Sequence, residues 1–153
     1  MEFNLQKLVR ENIRNLKPYS SARHEFTGKA SVFLDANENA YGSPLPINSD
    51  GVGHYNRYPD PLQWQLKFQL ARIKGVPVEN ICIGNGSDEI IDLAYRIFCD
   101  PGRDNVIICP PTYGMYAVNA NINDVEIRRV DLTNNFQLDV DGIMHATDVN
   151  SKL

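Results

Sequence analysis

No stretch of these 153 residues is strongly basic, and the formal net charge is −4. With a pI near 5.3 and no basic cluster, neither nucleic acid nor anionic membrane is expected as a partner. No apolar run approaches the ~20 residues of a membrane span. Residues 1–10 are mixed and charged rather than a signal peptide, so a cytoplasmic setting is expected. The three cysteines, Cys82, Cys99 and Cys109, form no CxxC pair, and their odd number argues against a disulfide framework. His24, His54 and His145 share no ligand spacing, so no metal site is expected. Internal repeats and low-complexity runs are also missing. What remains is ordinary globular composition, 42% hydrophobic and 22% charged, long enough for about one domain.

The most informative stretch runs from Ile81 to Ile91. A short apolar run, Ile81-Cys82-Ile83, stops at Gly84-Asn85-Gly86, and a helical pattern starts at Ser87. Asn85 or Ser87 can cap that helix, and Asp88 and Glu89 sit in its first turn, where the dipole favours negative charge. Glycines at a strand-to-helix turn let backbone N–H groups approach a ligand, and a helix N-terminus attracts phosphate. The third glycine of a dinucleotide fingerprint and the Gly-Lys-Ser/Thr of a P-loop are both lacking. A tight turn without ligand is the plainer reading of this stretch alone.

Along the chain, Leu5, Leu8, Val9 and Ile13 recur at helical spacing until Pro18, forming an N-terminal arm. Residues 31–35 read as a short strand and 36–46 as a loop rich in Asn, Gly and Pro. Asp60 and Pro61 open a helix that Gly75 stops, with Leu62, Leu66, Leu70 and Ile73 as its stripe. Trp64, Phe68 and Ala71 widen the stripe, which predicts two buried faces. Strand 81–83, the helix from Ser87 and the wholly apolar strand 105–109 follow. A short helix over 113–121, an alternating strand over 125–130 and a last helix from Leu138 to Ala146, capped by Asp139, complete the order. Alternation of strand and helix from Gly75 onward implies α/β architecture with mostly parallel strands. In such sheets ligands bind at the carboxyl ends of strands. Two of those ends carry unusual residues, Gly84–Glu89 and Pro110-Pro111-Thr112-Tyr113-Gly114. An aromatic ring beside an anion site suits a planar phosphorylated ligand, although Tyr113 also reads as an aromatic packed on the sheet.

Four segments then occur in a telling order: Asp35-Ala36-Asn37-Glu38-Asn39, Asn56-Arg57-Tyr58-Pro59-Asp60, Gly84-Asn85-Gly86-Ser87-Asp88-Glu89 and Pro111-Thr112-Tyr113-Gly114-Met115-Tyr116. Together they resemble the histidinol-phosphate aminotransferases, fold-type I enzymes of the class II subgroup that use pyridoxal 5′-phosphate (PLP). The resemblance covers residues 18 to about 141 and implies the PLP-dependent transferase fold. It assigns residues 1–50 to an N-terminal arm and loop for the small domain and dimer contact, and 51–153 to the first part of the large PLP-binding domain. By the family pattern Ser87 and Asp88 hold the cofactor phosphate through their N–H groups beside Gly86, and Tyr113 stacks on the pyridine ring. Tyr58 reaches the phosphate of the neighbouring subunit's cofactor in a homodimer. Tyr19 and Asn37 lie near the substrate.

The resemblance implies transfer of an amino group between L-histidinol phosphate and 2-oxoglutarate, in histidine biosynthesis. Relatives of the subgroup that act on aromatic amino acids or threonine phosphate are not separated by these residues. One departure is large: the family's Schiff-base lysine, in a Ser-x-x-Lys segment, has no counterpart among the lysines here. No catalytic residue of the family is therefore expected within these 153 residues, which read as the N-terminal portion of a longer enzyme. By themselves they are expected to be inactive, to bind PLP weakly at best and to self-associate through an open sheet edge. A competing reading is a non-catalytic phosphate-binding or interaction module, complete at Leu153.

Overall fold

A strand of branched aliphatic residues is stable only with hydrogen-bonded neighbours and apolar cover. In the computed structural model, which describes residues 4–21, 25, 26, 28, 30–44 and 55–153, Asn105–Ile108 (β1) has both. It pairs in parallel with Glu126–Arg129 (β2), Val106 opposite Ile127 and Ile108 opposite Arg129. On its other side the segment 150–153 runs alongside: Asn105 and Ile107 N–H donate to the carbonyls of Asn150 and Leu153, and Lys152 N–H donates to Asn105 O. A parallel pair needs a crossover connection. Here it is the helix Met115–Ile122, which starts two residues later than the expected 113–121 and ends one residue later.

The chain divides into two compact units, Met1–Leu16 with Cys82–Leu153, and Lys17–Ile81. In the first, helices Glu11–Arg14 (α1), Ser87–Phe98 (α3), Met115–Ile122 (α4) and Val140–Ala146 (α5) accompany the sheet. In the second lies Trp64–Lys74 (α2), followed by a 3₁₀ turn at Val78–Asn80. The core of the first unit is Tyr95 and Cys99 from α3, Val106 and Ile108 from β1, Ala120 from α4, and Val125. Each fully buried Val or Ile contributes about 1.5–3 kcal/mol by leaving water. The Tyr95 hydroxyl, buried with its ring, donates to Tyr116 O at 2.9 Å. Burial pushes its pKa up to about 12 and that of the Cys99 thiol up to about 11, so both stay protonated.

Two buried polar side chains in this unit have clear structural work. Asn105 donates to Asp148 Oδ1 and accepts from the Ser151 hydroxyl, which fastens segment 148–151 to β1. Asp104, also buried, receives the Asp100 N–H and the Arg103 guanidinium. Burial would raise its pKa, and these donors outweigh that and lower it.

Several expectations are corrected. The N-terminal arm is not one helix: a 3₁₀ turn at Leu5–Lys7 is separated from α1 by Arg10, held at φ −53°, ψ 142°. Tertiary bonds account for the break, since Arg10 N–H donates to Ile97 O and its guanidinium to Asp100 and Arg96 O. Residues 31–35 and 81–83 are not strands, because no ladder partner meets them among the described residues. Helix α2 starts at Trp64 rather than after Asp60: the Asp60 carboxylate accepts from Leu62 and Trp64 N–H, and Gln63 turns through φ 55°. No α2 residue is buried, against the two buried faces expected of its stripe. Gly75 does stop α2, at φ 67°. Asp139 does cap α5, accepting from Gly142 N–H at 3.0 Å. His24, His54, Lys29 and the Pro46 end of the loop lie outside the described residues.

Candidate functional site

At the N-terminus of α3 the backbone leaves two donors in a row. The N–H groups of a helix's first turn have no carbonyl partner within the helix. Among the described residues no acceptor engages those of Ser87 and Asp88. Neither Asn85 nor Ser87 caps the helix; the N-cap position is Gly86, without a side-chain bond. Gly86 has φ 87° and ψ 173°, a region essentially confined to glycine. A side chain on Gly84 would meet Glu89 Oε2 at 2.7 Å and push that carboxylate off the Asn85 N–H.

The two acidic residues of the first turn are used differently. Glu89 folds back and its Oε2 accepts the Asn85 N–H at 2.6 Å, close to a capping box. Asp88 Oδ2 instead accepts the hydroxyl of Tyr113, 25 residues away, at 3.2 Å. Among the described residues its other oxygen, Oδ1, is buried with no partner. Tyr113 stands in the loop after β1, half exposed, and meets the Tyr116 ring edge-on with centroids 6.0 Å apart. Its bond to Asp88, together with burial, raises its hydroxyl pKa, so it remains a donor at neutral pH. Gly86, Ser87, Asp88 and Tyr113 thus form one cluster, where the loop after β1 meets the start of α3. Beside it an apolar depression of about 400 Å³, lined among others by Ile91, Tyr95, Ile107 and Thr112, opens on β1.

In the second unit Tyr19, Asn37 and Tyr58 are all exposed. The organising residue there is Glu38, whose side chain is only 4% exposed. Its carboxylate accepts from Arg57 Nη1 at 2.6 Å and from Tyr58 N–H at 2.8 Å. Asn56 Nδ2 adds a bond to Asn39 O at 2.8 Å. The loop carrying Asn37 and the loop carrying Tyr58 are therefore locked together. Sequence reasoning named Glu38 only as part of a motif. The available signal was a glutamate flanked by two asparagines, with an arginine in the next motif. Among the described residues no cluster of three or more His, Cys, Asp or Glu could hold a metal ion, and no helix is long and apolar enough to cross a membrane.

Residues 34–152 match the family described as aminotransferase class I and II. A histidinol-phosphate aminotransferase of Parabacteroides distasonis is 55% identical over 150 residues, which is 98% of this chain and 41% of that protein. One from Cytophaga hutchinsonii is 52% identical over 153 residues, covering all of this chain and 42% of that protein. The chain spans about two fifths of the length of these curated relatives. Among solved structures, a tyrosine aminotransferase from Leishmania infantum superposes with a TM-score of 0.53 at 22% identity, over 63% of this chain and 27% of that one. That likeness concerns the fold: the parallel β1–β2 pair with its flanking helices is a part of the α/β aminotransferase fold. On the match over residues 34–152, the chain belongs to the class I and II aminotransferase family.

Proposed function

We propose that the whole protein is a PLP-dependent aminotransferase that moves an amino group between L-histidinol phosphate and 2-oxoglutarate. The observation that carries this reading is the donor pair at the start of α3, Ser87 and Asp88 N–H, beside the ring of Tyr113. The residues suit a phosphate ester: the N–H groups are uncommitted, the space over Gly86 is open to 4 Å, and the helix dipole favours the anion. The two nearby carboxylates are each engaged by a donor, Glu89 by Asn85 N–H and Asp88 by the Tyr113 hydroxyl. The identities of 52–55% to proteins called histidinol-phosphate aminotransferases support the substrate.

In this reading Ser87 and Asp88 hold the phosphate, Gly86 lets it approach, and Tyr113 carries the pyridine ring. When bound, that ring supplies an electron sink to the carbon from which a proton is removed. Tyr58 serves the phosphate site of a second subunit in a homodimer, and Tyr19 and Asn37 face the substrate. Residues 1–50 serve as arm and loop, and 51–153 as the first part of the cofactor domain. The test is turnover by the whole protein, followed as glutamate formed from 2-oxoglutarate. L-Histidinol phosphate is expected to be the preferred donor. Faster turnover of phenylalanine or tyrosine would replace the substrate assignment, and PLP failing to bind would leave a non-catalytic anion site.

A further inference from the structure

Two neighbouring carboxylates in one helical turn would ordinarily do the same thing, which is to offset the dipole and cap free N–H groups. In α3 that work falls to Glu89, through Asn85 N–H. The Asp88 carboxylate is directed to a different part of the fold, the Tyr113 hydroxyl in the loop after β1. We propose that Asp88 is a positioning residue that couples the phosphate site to the ring platform, its N–H serving the anion while its side chain fixes Tyr113. This rests on the PLP reading above.

Three features support it. Among the described residues Asp88 Oδ1 is buried and unpartnered, an arrangement that costs free energy and is not explained by capping. The tyrosine hydroxyl is thus the carboxylate's one hydrogen-bond donor among the described residues. Tyr113 is held at two points, its hydroxyl by Asp88 and its ring edge-on against Tyr116, although it is half exposed. An exposed aromatic held in this way loses less freedom when a planar ligand stacks on it, which favours binding. Finally, Asp88 is the second residue of α3, so any shift of the tyrosine is transmitted to the turn whose N–H groups face the anion.

The experiment is a double-mutant cycle in the whole protein, with Asp88→Ala, Tyr113→Phe and the double variant. PLP affinity is read by fluorescence titration, and ring orientation by the visible circular dichroism of the bound cofactor. Each single change is expected to weaken PLP by about threefold to tenfold, the range for loss of one hydrogen bond, and to shrink the dichroic band. The double variant is expected to be no weaker than the weaker single, and Asp88→Asn, which keeps an acceptor oxygen, to restore most of the band. Multiplying effects in the double variant, or a wild-type band in Tyr113→Phe, would overturn the proposal. Should Asp88→Ala not fold, Tyr113→Phe decides alone, since it deletes only one hydroxyl. If the wild-type protein binds no PLP, the cofactor reading itself fails and the coupling with it. If it binds PLP and the cycle is additive, only the coupling fails.

Discussion

Removing the Glu38 carboxylate by Glu38→Ala should release the loop that carries Tyr58 without unfolding the protein. Among the described residues the carboxylate accepts from the Arg57 guanidinium at 2.6 Å and from Tyr58 N–H at 2.8 Å. Bonds to charged groups contribute about 1.5–3 kcal/mol each when well buried. Glu38 is 4% exposed but Arg57 is 43% exposed, so solvent screening holds the ion pair to about 0.5–1 kcal/mol, and the bond from the N–H of the exposed Tyr58 contributes about 1.5–2 kcal/mol. A combined local loss of about 2–3 kcal/mol follows from these two bonds. At about 1.4 kcal/mol per factor of ten, the Tyr58 amide should exchange with solvent roughly 30- to 150-fold faster in the variant. Hydrogen exchange resolved to Tyr58 in the whole protein is the assay, with core amides of β1 as the internal control. Glu38→Gln keeps one acceptor oxygen and should lie between. Unchanged exchange at Tyr58 in Glu38→Ala would refute the assignment of Glu38 as the lock between the two loops.

Other consequences can be measured in parallel. Gly86→Ala forces a side chain into a glycine-only conformation and should cost about 1–3 kcal/mol, read as a lower urea midpoint, with weaker PLP binding. Val106→Ala deletes two methyl groups from a side chain that is 1% exposed and should cost about 1–3 kcal/mol with the slope of the urea curve unchanged. Asp148 is held at a pKa of about 2 by Asn105, then Arg128 and Asn150 N–H. Because its folded value is depressed, its contribution is present above the ordinary carboxylate value and is lost as pH falls from about 4 toward 2. Segment 150–153 should therefore detach from β1 in that window, and Asp148→Asn should flatten this acid response; an identical acid response in the variant would contradict the assignment.

What could be read from sequence was mostly what local chemistry decides. The apolar run at 105–109 became β1 over 105–108, and the alternation at 125–130 became β2 over 126–129. Gly75 and Asp139 mark helix ends because left-handed backbone and side-chain capping are local properties. The misses trace to partners distant in the chain. Ile81-Cys82-Ile83 has strand composition, but a strand exists only when paired. Arg10 interrupts a good helical pattern because Asp100 and the carbonyls of Arg96 and Ile97 hold it. At the site, the glycine turn was legible as the start of a helix and the Tyr113 loop as the segment that follows a strand. The Asp88–Tyr113 and Glu38–Arg57 bonds were not, because 25 and 19 residues separate the partners.

Whether the start of α3 is a cofactor phosphate site can be seen with the ligand in place. The most direct test is a crystal structure of the whole protein grown with PLP. The phosphate is expected within hydrogen-bond distance of Ser87 and Asp88 N–H, with the pyridine ring lying against Tyr113. A phosphate bound elsewhere, with those two N–H groups left to solvent, would contradict it.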